Sequence, residues 1–196
     1  MVETLLLPGV SQVSHVRFTV DDASPEEIEM KSIVSSFPFP NGISISPDGH
    51  KVAVASSSTG TVHFYNLSMN DNSLESDTIV ELPFAPDNLD FDDEGNLIVS
   101  GHPSFLELIK VSKGVSKSAP SWVLSVSPRK NPLTKVEDGA AFLPSSVRAK
   151  PSLRYEVKTL YQGRAYGTSS AGLWDTNSKT LYAVGLYEEG LLVCKP

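Results

Sequence analysis

The sequence repeats one outline of strand, polar turn and strand at a spacing of 46 residues. Ser46-Pro47-Asp48-Gly49 forms the turn of the first copy, and Asp92-Asp93-Glu94-Gly95 occupies the same place in the second. A third copy, SSAGLWDTNSKTLYAVGLYEEGLLVCK, begins at Ser169 after a longer interval. Periods of roughly 40 to 50 residues with several strands in each unit are typical of propeller blades. The repeat therefore predicts an all-β chain that forms a β-propeller of four-stranded blades.

Short segments of alternating apolar and polar residues support the all-β prediction. They are rich in β-branched and aromatic residues, as expected for strands: HVRFTV, NGISIS, KVAVAS, TVHFYNL, NLIVSG, LELIKVS, SWVLSV, YEVKTLY, TLYAVG and GLLVCK. Helical periodicity is weak throughout. The best helix candidate, SPEEIEMK from Ser24, has a capping residue and a proline in its first turn, but a single turn within a loop fits it equally well.

The repeat also predicts how the chain divides into blades. At this period, 196 residues hold only about four units, the lower limit for a propeller. We predict a single partial propeller domain over 1–196, with an incomplete blade at 1–36, blades at 37–84 and 85–126, a loop insertion at 127–152 and a final blade at 153–196.

Charge and composition exclude several classes of partner. The net charge is −7, and the basic residues at 129–130 and 148–150 are scattered in a loop, so no positive patch suited to phosphate binding is present. No apolar run approaches the roughly 20 residues that a membrane span requires. The first ten residues lack the basic region and apolar core of a signal peptide. We therefore expect no nucleic-acid partner, no membrane span and, in the sequence as given, no secretion signal.

Three motifs occur in order along the chain. They are an Asn-Gly-Ile before the first polar turn (Asn41), an Asp-Asn pair one blade later (Asp87-Asn88) and Gly-His-Pro at the end of the next strand (His102). Together they resemble the carboxy-terminal half of the paraoxonase/arylesterase family, over most of the chain from about Phe37 onwards. The resemblance implies a six-bladed propeller, of which this chain holds about three to four blades. It also implies a calcium ion in the central channel and hydrolysis of aryl esters and lactones.

The same resemblance assigns candidate site residues. In that family the motif asparagine and the Asp-Asn pair bind the catalytic calcium, which implies Asn41, Asp87 and Asn88 as ligands. The motif histidine lies beside the ion, which implies His102 as a residue of the catalytic pocket. Inner strands of successive blades surround one axis, so equivalent positions converge at one mouth of the channel, and the repeat makes Asn41 and Asp87 equivalent. Calcium takes oxygen ligands of these types.

Each of these residues also has an ordinary structural explanation. Asn41-Gly42 is a strong hairpin signal, although a better turn follows only four residues later. Asp87-Asn88 fits an Asx-type turn after a proline, and His102 fits a histidine with satisfied hydrogen bonds at a strand end.

Two further site patterns are weaker. An EF-hand loop beginning at Asp90 fails because Gly101 stands at the twelfth position, where a bidentate glutamate is needed. GTSSAG from Gly167 only loosely resembles a nucleophile elbow, since Ala171 replaces a glycine and no helical pattern follows. The sequon beginning at Asn66 matters only if the chain enters the secretory route.

The chain departs from the family pattern upstream of Asn41. The family takes a further acidic ligand, a further asparagine and a histidine pair from its amino-terminal half, whereas His15 is the only histidine in that part of this sequence. Cys194 is the single cysteine, although in animal relatives a late cysteine pairs with an early one. The resemblance therefore implies a truncated form with little activity alone.

Two functional hypotheses follow. The first is a calcium-dependent hydrolase of small-molecule aryl esters or lactones. The second is a non-catalytic propeller fragment or interaction module, whose open blade edges favour self-association or pairing with another chain. A gluconolactonase-like or strictosidine-synthase-like enzyme is a related alternative that matches the motifs less closely.

Overall fold

A computed structural model describes residues 9–18, 28–134 and 150–195. Strands dominate these residues, and one short helix, α1, interrupts them. In chain order the elements are β1 (Ser11–Arg17), β2 (Glu29–Phe37), β3 (Pro40–Ile45), β4 (Lys51–Ser56), β5 (Thr61–Leu67), β6 (Leu74–Glu81), β7 (Ala85–Phe91), β8 (Leu97–His102), α1 (Phe105–Ser112), β9 (Ser121–Pro128), β10 (Tyr155–Gly163), β11 (Ser169–Asp175), β12 (Thr180–Gly185) and β13 (Leu192–Cys194).

The strands form four antiparallel sheets. Two of them are four-stranded blades in simple chain order, β3-β4-β5-β6 and β7-β8-β9-β10. The third blade has three described strands, β11-β12-β13, and β1 pairs with β2 in a separate sheet. Up-and-down sheets of this kind are the unit of a propeller. The predicted all-β architecture of propeller blades is therefore confirmed.

The repeated turns share one hydrogen-bonding pattern. The Gly49 amide donates to the Ser46 carbonyl at 2.8 Å, and the Gly95 amide donates to the Asp92 carbonyl at 3.0 Å. Both glycines have positive φ, 73° and 79°, a conformation that glycine adopts without a steric cost. In the third copy the positive φ, 51°, falls on Lys179, one residue beyond the position that the two glycines occupy.

The segment LELIKVS is helical, so its prediction as a strand is wrong. Ser104 caps helix α1, and its Oγ accepts a hydrogen bond from the Glu107 amide. Glu107 lies in the first turn and Lys110 in the last, where each charge interacts favourably with the helix dipole. In the described part of the chain, no helix has the length and apolar character needed to span a membrane.

Strand β10 belongs to the second blade, which corrects the predicted boundaries. It pairs with β9 from Tyr155 to Gly163, whereas the sequence placed 153–196 in the final blade. The sheet therefore extends past the predicted end of its blade at residue 126. Two predicted features lie partly outside the described residues. They are the insertion, at residues 135–149, and the helix candidate, whose start lies within residues 19–27.

The core lies between the blades. Residues of the first and second blades form one cluster, in which the rings of Phe64 and Tyr155 stack with centroids 4.4 Å apart. Successive residues of β8 face opposite neighbours: Leu97 packs toward the first blade and Ile98 toward the third. Because both faces of β8 are buried, its sequence is an apolar run rather than an alternating one. This packing brings the inner strands β3, β7 and β11 side by side.

Asp77 links the first two blades through charged hydrogen bonds. Its buried carboxylate accepts from Lys51 Nζ at 2.9 Å and from Arg154 Nη1. Burial alone raises the pKa of Asp77, but the hydrogen bonds and charges of these two cations outweigh burial, so the pKa lies below its ordinary value of 3.8. The resulting stabilisation is complete above that ordinary value and is lost as the pH falls through the lower, folded-state pKa.

We expect Asp77→Asn to lower the free energy of unfolding at neutral pH by about 1–2 kcal/mol, because it removes the charge of a carboxylate that accepts a part-buried hydrogen bond from Lys51 and a solvent-exposed one from Arg154. The difference from the unaltered chain should shrink as the pH falls below 3.8. Urea unfolding at neutral and acidic pH measures both effects, with Asp93→Asn, an exposed turn carboxylate, as the control. An equal loss of stability in both variants would contradict the role of Asp77.

Candidate metal centre

The predicted site residues lie on neighbouring inner strands. Asn41 is the second residue of β3, Asp87 and Asn88 lie early in β7, and His102 ends β8. The antiparallel pairing of β7 with β8 places Ala85 opposite His102. These residues therefore share one end of the blades, as the repeat predicted.

Asp87 is the buried centre of the cluster. Its Oδ2 accepts a hydrogen bond from Ser170 Oγ at 2.7 Å and lies 3.3 Å from His102 Nε2. Asp87 is 8% exposed and His102 is 6% exposed. The other ring nitrogen of His102, Nδ1, is buried without a hydrogen-bond partner. A buried polar atom of this kind carries a desolvation cost, which a bound water molecule or ligand group at that atom would relieve.

Asn88 projects beside Asp87 and is anchored to the third blade. Its Nδ2 donates to the Ser170 carbonyl at 3.0 Å and to Ser170 Oγ at 3.1 Å. Because the nitrogen of the amide faces Ser170, its oxygen is directed away from that residue.

Asn41 reaches the same region through Ser57. Its Nδ2 donates to Ser57 Oγ at 3.1 Å, and Ser57 Oγ donates to the Pro86 carbonyl at 2.5 Å. Pro86 directly precedes Asp87, so this relay fixes Asn41 relative to the Asp-Asn pair. In Asn41, as in Asn88, the amide nitrogen makes the hydrogen bond to the rest of the protein.

Gly42 permits the close approach of β3 to β7. A Cβ atom at this position would lie 2.5 Å from the Asp87 carbonyl oxygen and 2.7 Å from Asn88 Cα. Both are backbone atoms of the pair that follows Pro86, so no side-chain movement would relieve the clash. The glycine of the Asn-Gly-Ile motif therefore brings the Asn41 strand against the Asp87 strand, rather than forming a hairpin turn.

A family model described as Arylesterase matches residues 10–166. The chain belongs to the arylesterase family. No curated protein matches it.

Two solved structures are similar to this arylesterase-family chain. A luciferin-regenerating enzyme matches with a TM-score of 0.48 and 16% identity, over 80% of this chain and 40% of that one. A structure assigned as a 6-phosphogluconolactonase from Bacteroides uniformis matches with a TM-score of 0.50 and 12% identity, over 94% of this chain and 44% of that one. The second likeness concerns the fold alone. The arylesterase-family chain spans less than half the length of either structure.

The ligand atoms of the cluster fit calcium better than a transition metal. Asp87 supplies carboxylate oxygens, and Asn41 and Asn88 supply amide oxygens, which are the hard ligands that calcium prefers. Among the residues that the structure describes, no group of three His, Cys, Asp or Glu side chains is placed to hold a metal. A zinc site of the common nitrogen and sulfur type is therefore not formed by them. The role of the three residues as ligands stays a prediction.

A second carboxylate lies near the cluster, in a different setting. Burial raises the pKa of Asp90, and the negative charge of Asp92 raises it further. Asp90 stands two residues beyond Asn88 on β7, and a shallow groove of about 370 Å³ between β7 and β11 is lined by both residues. A higher pKa means that Asp90 carries its charge less readily than an ordinary carboxylate does.

Sequence reasoning missed Ser57 and Ser170. GTSSAG was considered only as a nucleophile elbow, yet the Ser170 hydroxyl bonds to a carboxylate and an amide. A nucleophilic serine needs a base to take its proton, and the ring nitrogen of His102 nearest the cluster faces Asp87 instead. One sequence feature could have identified Ser170 as a site residue. It is the third copy of the repeat, which begins with Ser169-Ser170 on β11.

Proposed function

We propose that this chain is the calcium-binding part of a hydrolase that acts on small-molecule aryl esters or lactones. Membership of the arylesterase family supports the reaction class. The single observation that carries the metal is the buried Asp87 carboxylate, with two asparagine side chains fixed around it through their nitrogen atoms. Both amides use their nitrogen atoms within the protein, so the two amide oxygens and the Asp87 carboxylate are the proposed ligand atoms.

Asn41, Asp87 and Asn88 would hold the calcium ion, which when bound would supply a Lewis acid for the carbonyl group of an ester or lactone. The residues of the chain contribute the geometry. Asn41 and Asn88 orient amide oxygens, and Asp87 supplies the negative charge. His102 lies beside Asp87, with Nε2 3.3 Å from the carboxylate, and helps to hold that carboxylate in place.

The proposed site should bind calcium weakly in this chain alone. Only Asp87 among the three ligands is charged, and calcium affinity falls as the number of charged ligands falls. We expect a dissociation constant of about 0.1–1 mM, the range of weak calcium modules. The same shortage of ligands leads us to expect little hydrolysis by the isolated chain.

Calorimetric titration with calcium chloride tests the proposal, together with hydrolysis of phenyl acetate. Calcium uptake that a chelator abolishes, with weak turnover that follows the bound fraction, is the expected result. Magnesium is the matched control, since it demands a smaller octahedral site and should bind less well. Folding without any calcium uptake, combined with no turnover, would refute the metal-dependent hydrolase.

That negative result would favour the second candidate, an interaction module. One observation supports this alternative: Leu173, Val184 and Val193 are 49%, 44% and 48% exposed. The pairing of β11 with β12 and of β12 with β13 places them on one face of the third blade. A contiguous apolar face is the kind of surface that another protein or another copy of the chain covers.

A further inference from the structure

We propose that Ser170 is a positioning residue that sets the orientation of both Asp87 and Asn88 for the cation. This inference rests on the proposed calcium site and assigns a role within it. Ser170 lies on β11 in the third blade, whereas the two residues it contacts lie on β7 in the second. The orientation of the ligand pair therefore depends on a different blade from the one that carries it.

The hydrogen bonds of the Ser170 hydroxyl have a defined direction. An ionised carboxylate only accepts, so Ser170 Oγ donates its single proton to Asp87 Oδ2 at 2.7 Å. Its lone pair then accepts from Asn88 Nδ2 at 3.1 Å, and the Ser170 carbonyl accepts from the same nitrogen at 3.0 Å. Ser170 therefore fixes the rotamer of the Asp87 carboxylate. It also determines that the nitrogen of the Asn88 amide, rather than its oxygen, faces β11.

The fold holds Ser170 itself in place. The Ser169 amide donates to Ser121 Oγ at 2.8 Å, and Ser169 Oγ donates to the Gly101 carbonyl at 3.1 Å. Just before it, Thr168 is fully buried with a positive φ of 51°, and its amide donates to the Ala119 carbonyl. Strained backbone of this kind persists where the surroundings over-determine it, and it is enriched at functional sites.

A β-bulge explains why adjacent serines both face inward. In a regular strand, neighbouring side chains point to opposite faces, yet Ser169 and Ser170 are both buried. The pairing of β11 with β12 shifts register between Ser169 and Ala171. Bulges re-aim single side chains and occur beside functional sites. With this irregularity, Ser170 contacts Asp87, and Ser169 hydrogen-bonds strand β11 to Gly101 of the second blade.

The decisive variant is Ser170→Ala, with Ser100→Ala as the control. Ser100 lies on β8, is fully buried, and has an Oγ atom without a hydrogen-bond partner among the described residues. Both variants remove one buried hydroxyl, but only Ser170→Ala removes hydrogen bonds to Asp87 and Asn88. Removing a hydrogen-bond partner of a metal ligand typically costs 10–100-fold in affinity, so we expect Ser170→Ala to weaken calcium binding by about 10-fold or more. Ser100→Ala should leave the affinity within about twofold, and Ser170→Thr, which keeps the hydroxyl, should restore most of it.

Calcium titration of the full chain, followed in ¹H–¹⁵N NMR spectra, measures these affinities. The side-chain amide resonances of Asn88 supply a readout that needs no metal. These resonances should shift in Ser170→Ala and keep their positions in Ser100→Ala. Equal affinity in Ser170→Ala and the unaltered chain overturns only the role of Ser170. An absence of calcium uptake by the unaltered chain overturns the proposed metal site and this role with it.

Discussion

Asp87→Asn is expected to weaken calcium binding by roughly 100-fold or more, because affinity follows the charge of the ligands. Asp87 is the sole charged member of the proposed ligand set. The substitution keeps the size of the side chain, and its remaining oxygen can still accept from Ser170 Oγ, which lies 2.7 Å from Oδ2. The variant should therefore fold, and the loss should appear in the affinity rather than in the stability.

Calorimetry with calcium measures the effect, and Asp90→Asn is the matched control. Asp90 lies on the same strand and is also part-buried, but the proposed site does not use it as a ligand. Its removal should change calcium binding by no more than a few-fold through the long-range loss of one negative charge. A larger loss in Asp90→Asn than in Asp87→Asn would relocate the site along β7.

Gly42→Ala should cost about 3 kcal/mol of stability, a value typical of overpacking that only a backbone shift relieves. The added Cβ atom would meet the Asp87 carbonyl oxygen at 2.5 Å and Asn88 Cα at 2.7 Å. Strand β3 must then move away from β7. The relay from Asn41 through Ser57 to Pro86 should break, so calcium affinity should fall along with stability.

Chemical denaturation measures the first effect and calorimetry the second. Gly163→Ala is the control, since a Cβ atom there would have Tyr161 Oη at 3.1 Å as its nearest contact, a side-chain atom rather than backbone. Gly163→Ala should therefore lower the free energy of unfolding much less than Gly42→Ala does. If Gly42→Ala retained full stability, the close approach of β3 and β7 would be refuted. If it lost stability but kept its calcium affinity, the site would not depend on that approach.

The sequence predicted the blades because their turns repeat a local chemistry. Ser46 and Asp92 start equivalent turns that end on Gly49 and Gly95, and such signals depend only on nearby residues. The shared location of Asn41 and Asp87 followed from the same spacing. Local patterns failed where distant residues decide the structure. The assignment of β10 to the second blade depends on pairing with β9 across a long connection.

Two other failures have separate physical causes. LELIKVS is short and largely apolar, and such runs do not distinguish a strand from a helix by periodicity; the cap at Ser104 decided between them. Ser170 was missed because a regular strand would place Ser169 and Ser170 on opposite faces. The shift in register between Ser169 and Ala171 allows both serines to face the second blade. The sequence SSAG contains no pattern that predicts such a shift.

The contacts that surround Asp87 join residues far apart in the chain. Asn88 and Ser170 are separated by 82 positions, and Asn41 reaches Ser57 across 16. Contacts of such long sequence separation require the closure of long loops, which has an entropic cost. We therefore expect the proposed cation site to be absent from partly folded species in which the blades have formed but have not packed together. Calcium uptake by this chain would consequently serve as an assay of completed folding, measurable in mixtures where secondary structure alone looks native.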